Sequence, residues 1–373
     1  MPLASLQITD FRNLTAIDFT PGCLSGLNLL YGKNGSGKTS LLEAIYYLGR
    51  GRSFRSTTTT RLIRYQQEKF SLVAQVINES QQQITMGMER GTQDNTRFRI
   101  AEKDASSLTD FIRLLPLRLI NSQSHHLFEG GPAFRRKYLD WGLFYHDERF
   151  LHTWRHFERV LKQRNALLRD KCSRAELEVW THELVHYGVA LNQLREKYLH
   201  LLTPYMEEMV SALLGATDIT WEYAVGWERK SDYATMLAQA YREEIRVGYT
   251  IFGPHRADLN IWLNRLPAKH FLSRGQQKLL ICAMILAQGM LFAAQTNKGL
   301  IYLIDDLPAE LDLASRQKLI SLLAKQSTQI FITATQREMI SDSLTEKANL
   351  PLSMFHVEHG KVLAEANHDN RWC

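Results

Sequence analysis

The sequence predicts an α/β protein, in which a head built on a mixed β-sheet is interrupted by an inserted, mainly helical lobe. The first third alternates as strands do, the middle contains long charged helical segments, and the last third returns to alternating strands and helices. The 373 residues, 45% of them hydrophobic, are enough for about two domains with a proper core. We expect the head to comprise residues 1–130 and 251–373, and the lobe residues 131–250.

The first third contains six strand-like segments, and a helix separates the third from the fourth. Each has period-two or continuous apolar character, which predicts the strands of a mixed sheet. Their sequences are LASLQIT, TAIDFT, GLNLLYG, FSLVAQVIN, QQITMGME and TRFRIA.

The middle of the chain, from about Ala133 to Thr217, is rich in charge and nearly free of glycine and proline. This pattern predicts long helices that form an antiparallel lobe. The last third then contains the strand ADLNIWLN, a helix at 273–295, the strand LIYLI, a helix from about Ala309 and the strand QIFITAT. The helical lobe is therefore predicted to be an insertion within the head.

Charge and composition narrow the classes of function. The formal charge of +6 favours an acidic partner, with nucleic acid first. The opening residues alternate as a strand does, unlike a secretion signal, and the longest apolar run, 279–294, is shorter than the ~20 residues that a bilayer requires. The four cysteines stand far apart and form no C-x-x-C pair. We expect a cytoplasmic protein with no membrane contact, zinc site or disulfide framework, and a buried helix at 279–294.

A glycine-rich loop follows the third predicted strand and precedes a helix, in GLNLLYGKNGSGKTSLLEAI. Its spacing and flanks match a P-loop (Walker A), where backbone N–H groups and a helix N-terminus hold a polyphosphate. We expect Lys38 to reach the β- and γ-phosphates of ATP and Thr39 to bind Mg²⁺. The alternative is a glycine-rich turn without a ligand. The predicted nucleotide-binding residues of this loop are Gly32, Lys33, Asn34, Gly35, Ser36, Gly37, Lys38, Thr39 and Ser40.

The segment GLIYLIDD, 299–306, is an apolar strand that ends in two acids, as a Walker B strand does. We expect Asp305 to bind the metal. Asp306 is expected to orient or deprotonate the attacking water, which makes it the catalytic base beside the catalytic Lys38. The alternative is that the two acids only cap the following helix.

The segment LSRGQQK, 272–278, places Ser273 at the start of the long apolar helix. Free N–H groups, a hydroxyl and the positive end of the helix dipole make this turn an anion site, with Ser273, Gly275 and Gln276 as nucleotide-binding residues. The P-loop already supplies one phosphate site, so two copies arranged head to tail would each offer this turn to the other's nucleotide. The alternative is an ordinary capped helix.

Together these residues resemble the ABC-type ATPase heads of the SMC group and, within that group, the RecF family. Further segments carry the resemblance along essentially the whole chain: FRNL, GRSFR, GGPAFRRKYLDW, GPHRADL and IDDLPAELD. The resemblance implies a P-loop ATPase head with a short helical lobe in place of the long SMC arm. It also implies ATP-dependent homodimerisation on DNA, slow hydrolysis, and cooperation with RecR and RecO in loading RecA at gapped DNA.

The resemblance also implies roles for residues outside the three motifs. Arg12 and Asn13 of FRNL would line the nucleotide, and Gln123 would be the Q-loop residue at the metal. Asp306 stands where many ABC proteins have a catalytic glutamate, and its shorter reach agrees with slow turnover. The usual switch histidine is missing after the last core strand. In its place the segment FITATQRE provides Thr333, Thr335 and Gln336.

Two groups of basic residues are candidates for sequence-independent contacts with DNA phosphates, after the P-loop helix and at the start of the helical lobe. The alternative for both groups is a solvated helix face. No base-reading motif is present. The candidates are Arg52, Arg55, Arg61 and Arg64 in the first group, and Arg135, Arg136 and Lys137 in the second.

Three functional hypotheses therefore remain open. The first is a DNA-dependent ATPase clamp, supported by the P-loop, the signature turn and the basic charge. The second is the ATP-binding subunit of an ABC transporter, which shares the nucleotide motifs. The third is a DNA-binding scaffold with a structural nucleotide, since Asp306 and the missing histidine are compatible with negligible hydrolysis.

Overall fold

The computed structural model describes residues 2–92, 96–171, 173–215, 218–326, 328–344 and 350–365. The chain divides into two compact units: unit 1 comprises residues 1–124 and 292–373, and unit 2 comprises residues 125–291. The sequence predicts the first boundary close to this position. The second differs, because residues 251–291 belong to unit 2 rather than to the head.

The strands form three sheets. Six of the strands form an antiparallel sheet in unit 1, six form a mixed sheet in unit 1, and three form an antiparallel sheet in unit 2. In chain order the strands are β1 (Leu3–Phe11), β2 (Leu14–Phe19), β3 (Gly26–Tyr31), β4 (Lys69–Ile77), β5 (Gln83–Gly91), β6 (Thr96–Ile100), β7 (Lys103–Asp104), β8 (Leu117–Ile120), β9 (Ile219–Ala224), β10 (Asp258–Leu263), β11 (Leu266–Pro267), β12 (Ile301–Ile304), β13 (Gln329–Ala334), β14 (Leu352–Glu358) and β15 (Lys361–Ala364).

The helices differ greatly in length, and the longest ones lie in unit 2. In chain order they are α1 (Lys38–Arg50), α2 (Leu108–Arg113), α3 (His126–Glu129), α4 (Pro132–His146), α5 (Glu148–Arg169), α6 (Arg174–Leu214), α7 (Tyr233–Val247), α8 (Ala268–Phe271), α9 (Arg274–Thr296), α10 (Leu307–Glu310), α11 (Leu313–Ala324) and α12 (Glu338–Ser341).

The mixed sheet of unit 1 has the strand order β15-β14-β3-β13-β12-β8. The pairs from β14 to β8 are parallel, and only β14 and β15 pair antiparallel. Strands β12 and β13 are buried at every position, which explains the unbroken apolar sequence of β12 and the mainly apolar sequence of β13. The carboxyl ends of β3, β13, β12 and β8 therefore meet at one edge of the sheet. The loops that leave this edge carry the predicted nucleotide motifs.

The second sheet of unit 1 is antiparallel, in the order β2-β1-β4-β5-β6-β7. Strand β4 alternates buried and partly exposed positions, as expected for a sheet with one face on the core. Helix α1 is buried along most of its surface and shares one hydrophobic core with side chains of both sheets. The α/β class with a mixed sheet and an inserted helical lobe is confirmed.

Unit 2 is built on the antiparallel pair α5 and α6. Arg164 contacts Thr181 while the earlier Phe157 lies against the later Gly188, so the two helices run in opposite directions. Ser173 begins α6 with a capping box, in which its hydroxyl accepts from the backbone N–H of Glu176 and the Glu176 carboxylate accepts in return. The antiparallel helical lobe predicted from the sequence is present.

Ion pairs and hydrogen bonds explain why residues 251–291 belong to unit 2. Arg195 donates to the Asp140 carboxylate at 2.8 and 2.9 Å and to the Pro254 carbonyl at 2.8 Å. The Gln288 amide donates to the Tyr138 carbonyl at 2.8 Å. These contacts join α4 and α6 to the loop before β10 and to α9.

Helix α9 is long and apolar enough to cross a membrane by length and composition, with a mean hydropathy of 1.8. However, 67% of that apolar window is buried inside the structure. Residues such as Leu280, Met284 and Leu286 are fully buried. The buried helix expected at 279–294 is therefore confirmed.

Candidate nucleotide site

The glycine-rich loop connects β3 to α1, as the P-loop motif predicts. Gly37 caps α1 with φ +117°, and no side chain caps this helix. A Cβ at Gly37 would lie 2.9 Å from Leu14 Cδ2, and one at Gly32, where φ is +149°, would lie 2.2 Å from the Val357 carbonyl oxygen. Only glycine fits both positions. The helix N-terminus is thereby left open for a ligand.

Lys38 lies beneath this loop and is buried. Its ammonium group donates to the carbonyl oxygens of Gly32 at 2.6 Å and Lys33 at 2.8 Å. Burial lowers the pKa of Lys38, and the Asp306 and Asp305 carboxylates partly offset that effect. These two hydrogen bonds hold the lysine inside the loop.

The Walker B acids follow β12. The Thr39 hydroxyl donates to Asp305 Oδ1 at 3.0 Å, so the two expected metal ligands are in direct contact. Thr333 donates its hydroxyl to the same oxygen at 2.8 Å and accepts from the Asp306 backbone N–H at 2.8 Å. Thr333, on the neighbouring strand β13, thus binds both acids and fixes their positions. The sequence assigned no role to Thr333.

Asp306 lies just past the strand end in the left-handed region, with φ +54° and ψ +47°. Its side chain makes no capping hydrogen bond to α10. Burial raises the pKa of Asp306, the neighbouring Asp305 raises it further, and Lys38 opposes the shift. A carboxylate with a raised pKa is suited to accept a proton, and the missing cap contact disfavours the alternative of a simple helix cap.

The FRNL residues lie beside the P-loop. Asn13 donates to the Gly35 carbonyl at 3.3 Å and accepts from the Ser40 hydroxyl at 2.6 Å. Arg12 has φ +58° and binds the buried Glu43 with two N–H groups, at 3.0 and 2.7 Å. Both residues line a cavity beside the P-loop, and their contact with a nucleotide remains a prediction.

A cavity of about 500 Å³ opens above these groups. Such a volume suits a nucleotide-sized ligand. Asp305 reaches it through Thr39, and among the described residues Gln123 is not part of its wall. The wall comprises Arg12, Asn13, Asn34, Gly35, Gly37, Lys38, Thr39, Ser40, Arg55, Arg61, Ile63, Asp306, Thr333 and Thr335.

Gln123 lies in a short 3₁₀ turn that follows β8. Its side chain is exposed, and its backbone N–H donates to the Asn121 side chain at 3.1 Å. Because β8 is the parallel neighbour of β12, the turn leaves the same sheet edge as Asp305. A Q-loop role for Gln123 remains a prediction.

The turn between β14 and β15 contacts the P-loop. The Gly360 backbone N–H donates to the Ser36 carbonyl at 2.9 Å. Gly360 has φ +72°, and a Cβ there would lie 2.9 Å from the Asn13 carbonyl oxygen. This contact was not predicted, because a glycine in a hairpin turn carries no signal about its distant partner.

The signature turn lies in unit 2, whereas the P-loop lies in unit 1. Ser273 accepts from the Gln276 backbone N–H at 3.2 Å, and the Gln276 side chain accepts from the Ser273 backbone N–H at 2.9 Å. These two bonds form a capping box at the start of α9. Ser273, Gly275 and Gln276 are all exposed. The helix-cap alternative is therefore present, on a surface that a second molecule can reach.

The four arginines of the loop after α1 differ in their surroundings. Arg55 and Arg61 line the nucleotide cavity. Arg64 lies 3.5 Å from the Asp10 carboxylate. Arg52 is exposed. Contact with DNA remains a prediction for this group, and two of its members have a second possible ligand in the nucleotide.

The basic residues at the start of α4 are mostly engaged inside unit 2. Arg135 binds the Asp258 carboxylate with two N–H groups, at 2.7 and 2.8 Å. Arg136 donates to the Ala257 carbonyl at 2.7 Å. These contacts do not support DNA binding by Arg135 and Arg136, because the guanidinium groups bind the first residue of β10 and the residue before it. Lys137 is exposed, and its contact with DNA remains a prediction.

Comparison with known proteins identifies the family of this chain. The family described as RecF/RecN/SMC N terminal domain matches residues 2–361. The DNA replication and repair protein RecF of Shewanella sediminis is 40% identical over 362 residues, which cover 97% of this chain and 99% of that protein. RecF of Cellvibrio japonicus is 40% identical over 367 residues, with 98% and 100% covered.

Solved structures show the same fold. The recombination mediator protein RecF bound to ATP, from the RecFOR pathway, superposes with a TM-score of 0.86 at 24% identity and covers 98% of each chain. An Smc head bound to the C-winged helix domain of ScpA has a TM-score of 0.60 at 12% identity, covering 99% of this chain and 98% of that one. The expected ABC-type head is thus confirmed at the level of the fold. From these matches along nearly its whole length, the chain belongs to the RecF family within the wider RecF/RecN/SMC group.

Proposed function

We propose that this chain is an ATP-dependent DNA-binding protein of replication and recombinational repair, which dimerises with ATP held between the P-loop of one copy and the signature turn of the other. Its RecF relatives support the biological role. The cavity carries the nucleotide assignment, because the P-loop, Asp306 and Thr333 all line it. Membership of the RecF family favours this function over the ATP-binding subunit of a transporter.

The residues of the cavity divide the chemistry of hydrolysis between them. The open N-terminus of α1 and the Lys38 cation bind the phosphates. Asp306 accepts a proton from the attacking water, and its raised pKa makes it a stronger base than an ordinary aspartate. ATP hydrolysis is the general activity that family membership supports. Slow turnover that DNA stimulates is the finer part of this proposal.

The donors near the P-loop fit Mg²⁺. The Thr39 hydroxyl and the Asp305 carboxylate are hard oxygen ligands in direct contact, and Mg²⁺ in ATPases is held by such groups together with substrate phosphates. When bound, Mg²⁺ would neutralise negative charge on the β- and γ-phosphates. Thr333 keeps Asp305 in place for this task. Gln123 is a further proposed ligand.

A second copy supplies the other phosphate contact. The Ser273 hydroxyl already accepts one hydrogen bond within its capping box, and a hydroxyl in that state still has its proton to donate. The capped turn can therefore bind a γ-phosphate without losing its cap. Gly275 adds no side chain that would keep the phosphate away from the backbone N–H groups.

Solution mass by light scattering, with and without ATP and Mg²⁺, tests this arrangement. Asp306→Asn slows hydrolysis and serves as the background. Its mass should double only with ATP. Adding Ser273→Asp should abolish the doubling but leave stability unchanged, because Asp caps helices as well as Ser does and yet repels a phosphate. Ser273→Arg should also block dimerisation, by filling the site.

Two outcomes would count against the proposal. If Asp306→Asn stays a monomer with ATP and DNA present, closure in trans fails. If the Ser273→Asp variant dimerises as its background does, Ser273 is a helix cap and nothing more.

DNA contact should be independent of sequence and sensitive to salt. We propose that RecR and RecO act with this protein in loading RecA at gapped DNA, and that it works in the cytoplasm without a membrane. With ATP, Asp306→Asn should bind DNA more tightly than without ATP. Arg52→Ala should reduce the slope of log affinity against log salt by about 1. Equal DNA affinity with and without ATP would contradict a clamp.

The scaffold with a structural nucleotide makes a different prediction. Phosphate release in the presence of DNA would then be the same for the wild type and for Lys38→Ala. For an ATPase, release should fall to background in that variant. The same assay therefore separates the two functions.

A further inference from the structure

Glu43 is a charged residue that the nucleotide motifs do not assign to any task. It lies on α1, the helix that Lys38 begins, and its side chain is 0% exposed. A buried carboxylate costs several kcal/mol unless partners compensate its charge. The groups that bind the Glu43 carboxylate therefore indicate its role.

Those partners come from two other segments. Arg12, in the FRNL turn, donates from Nε at 3.0 Å and from a terminal nitrogen at 2.7 Å. From the loop after α1, Ser53 donates its hydroxyl to Glu43, and an Arg55 nitrogen lies 3.6 Å away. One carboxylate thus holds the helix of the P-loop, the FRNL turn and the arginine loop together.

Arg12 and Arg55 line the nucleotide cavity, whereas Glu43 itself does not. A third N–H group of Arg12 donates to the Arg61 carbonyl at 2.8 Å, so two of its five N–H groups lack a partner among the described residues. The Arg12 backbone is also fixed in the left-handed region and donates to the Leu62 carbonyl at 2.7 Å. This arginine is held rigidly at the wall of the cavity.

We propose that Glu43 is a positioning residue for nucleotide binding: it fixes the Arg12 and Arg55 cations at the cavity wall, where they meet the anionic groups of a nucleoside triphosphate. Without it, both arginines would lose the carboxylate that neutralises them and holds their orientation. They would then have to be ordered at the moment of binding, which weakens affinity. This inference rests on the proposed ATP site.

A matched control exists in unit 2. Glu244 is also 0% exposed and binds the buried Arg164 at 2.7 Å. Glu43→Gln and Glu244→Gln each remove one buried charge from an arginine pair, so both should lower the melting temperature. Only Glu43→Gln should weaken the binding of ATP with Mg²⁺, by at least tenfold in titration calorimetry at a temperature where both variants are folded. Equal ATP affinity of the two variants would overturn the proposal.

A double-mutant cycle tests whether Glu43 acts through Arg12. Arg12→Ala combined with Glu43→Gln should bind ATP no more than about threefold more weakly than Arg12→Ala alone, because coupled residues are not additive. Fully multiplicative losses would show that Glu43 does not act through this arginine.

Arg12→Lys decides the question if Glu43→Gln does not fold. It keeps the charge at the cavity but cannot bind the carboxylate with two N–H groups. It should lose most of the affinity that Arg12→Ala loses, and affinity equal to the wild type would overturn the proposal. If Lys38→Ala binds ATP at least about tenfold more weakly than the wild type, the proposed ATP site stands whatever these variants show.

Discussion

Two helices in this protein begin with a glycine-containing turn that matches a phosphate site, and they satisfy their N-termini in opposite ways. Helix α1 begins after Gly37 without any side-chain cap, and its first turn lines a cavity. Helix α9 begins after Ser273 with a complete capping box on an exposed surface. Neither first turn contains an acidic residue that would repel an anion.

The difference shows which turn depends on its ligand. The unsatisfied N–H groups at the start of α1 need a partner, and a phosphate supplies it. The N-terminus of α9 is already capped by its own side chains. We infer that the P-loop contributes to binding in a single chain, whereas the signature turn contributes only when a second copy brings a phosphate to its surface.

Lys38→Ala should have the largest effect. Hydrogen bonds to charged groups contribute about 1.5–3 kcal/mol each, so ATP affinity should fall about 10- to 100-fold. Titration calorimetry of the single chain with Mg²⁺ measures this loss. The loss should not depend on protein concentration, because Lys38 and the P-loop belong to the same copy. A loss seen only at concentrations where dimers form would contradict the comparison.

The two glycines of the turns form a matched pair for the next test. Gly37→Ala forces a residue with a Cβ into φ +117° and against Leu14, which should cost about 1–3 kcal/mol and weaken ATP binding. Gly275→Ala has room, since the nearest atom is Ser273 Oγ at 4.0 Å, and should stabilise α9 by up to about 1 kcal/mol.

The readouts of the pair differ as well. Chemical denaturation measures both stabilities, and light scattering with ATP measures dimerisation. Gly275→Ala should leave ATP binding by the single chain unchanged and weaken the ATP-dependent dimer, where the partner's phosphate must approach the turn closely. If both glycine variants weaken the binding of ATP to the monomer, the two turns do not differ as described.

Ser273→Ala should have the smallest effect on the isolated chain. Loss of a helix cap costs about 1 kcal/mol, so the melting temperature should fall by a few degrees, with monomer ATP affinity unchanged. Ser273→Thr keeps the hydroxyl and serves as the control, with near-normal stability and dimerisation. If Ser273→Ala dimerises normally with ATP, the Ser273 hydroxyl does not bind the partner's phosphate.

Several residues that the sequence singled out line one cavity, because they lie in short contiguous motifs. Their contact with a nucleotide stays a prediction. The loop from Gly32 to Thr39 and the acids Asp305 and Asp306 each follow an apolar strand, and parallel strands deliver their carboxyl ends to one edge. At this edge of the sheet, the local sequence motifs therefore predict the same positions as the strand arrangement does. The fold class followed in the same way from hydrophobic periodicity.

The sequence did not predict residues whose role depends on a distant partner. Thr333 bridges both acids from the next strand, and Glu43 gathers arginines from two other segments. The sequence indicated Thr333 only at the position of the missing switch histidine, without a role, and it gave Glu43 no role either. The one available signal for Glu43 is its charge on the helix that follows the P-loop, since such a helix is expected to be deeply buried.

Basic residues were the least predictable class. Arg135 and Arg136 stand in a charged run that resembles a DNA-binding surface. Inside unit 2, however, Arg135 binds the Asp258 carboxylate and Arg136 donates to the Ala257 carbonyl. These partners lie more than a hundred positions later in the chain. The same contacts help to join residues 251–291 to the rest of unit 2. A charge count cannot distinguish a solvated arginine from one that holds a loop.

The contact between Gly360 and Ser36 has a consequence for synthesis of the chain. Strand β3 lies between β13 and β14, and the last hairpin donates to the P-loop, so the cavity is assembled from both ends of the sequence. At about 5–20 residues per second, roughly 15–60 s separate the emergence of the P-loop from that of its closing turn. A nascent chain on the ribosome therefore displays an intact glycine motif before Asp306, Thr333 and the closing turn at Gly360 have been made.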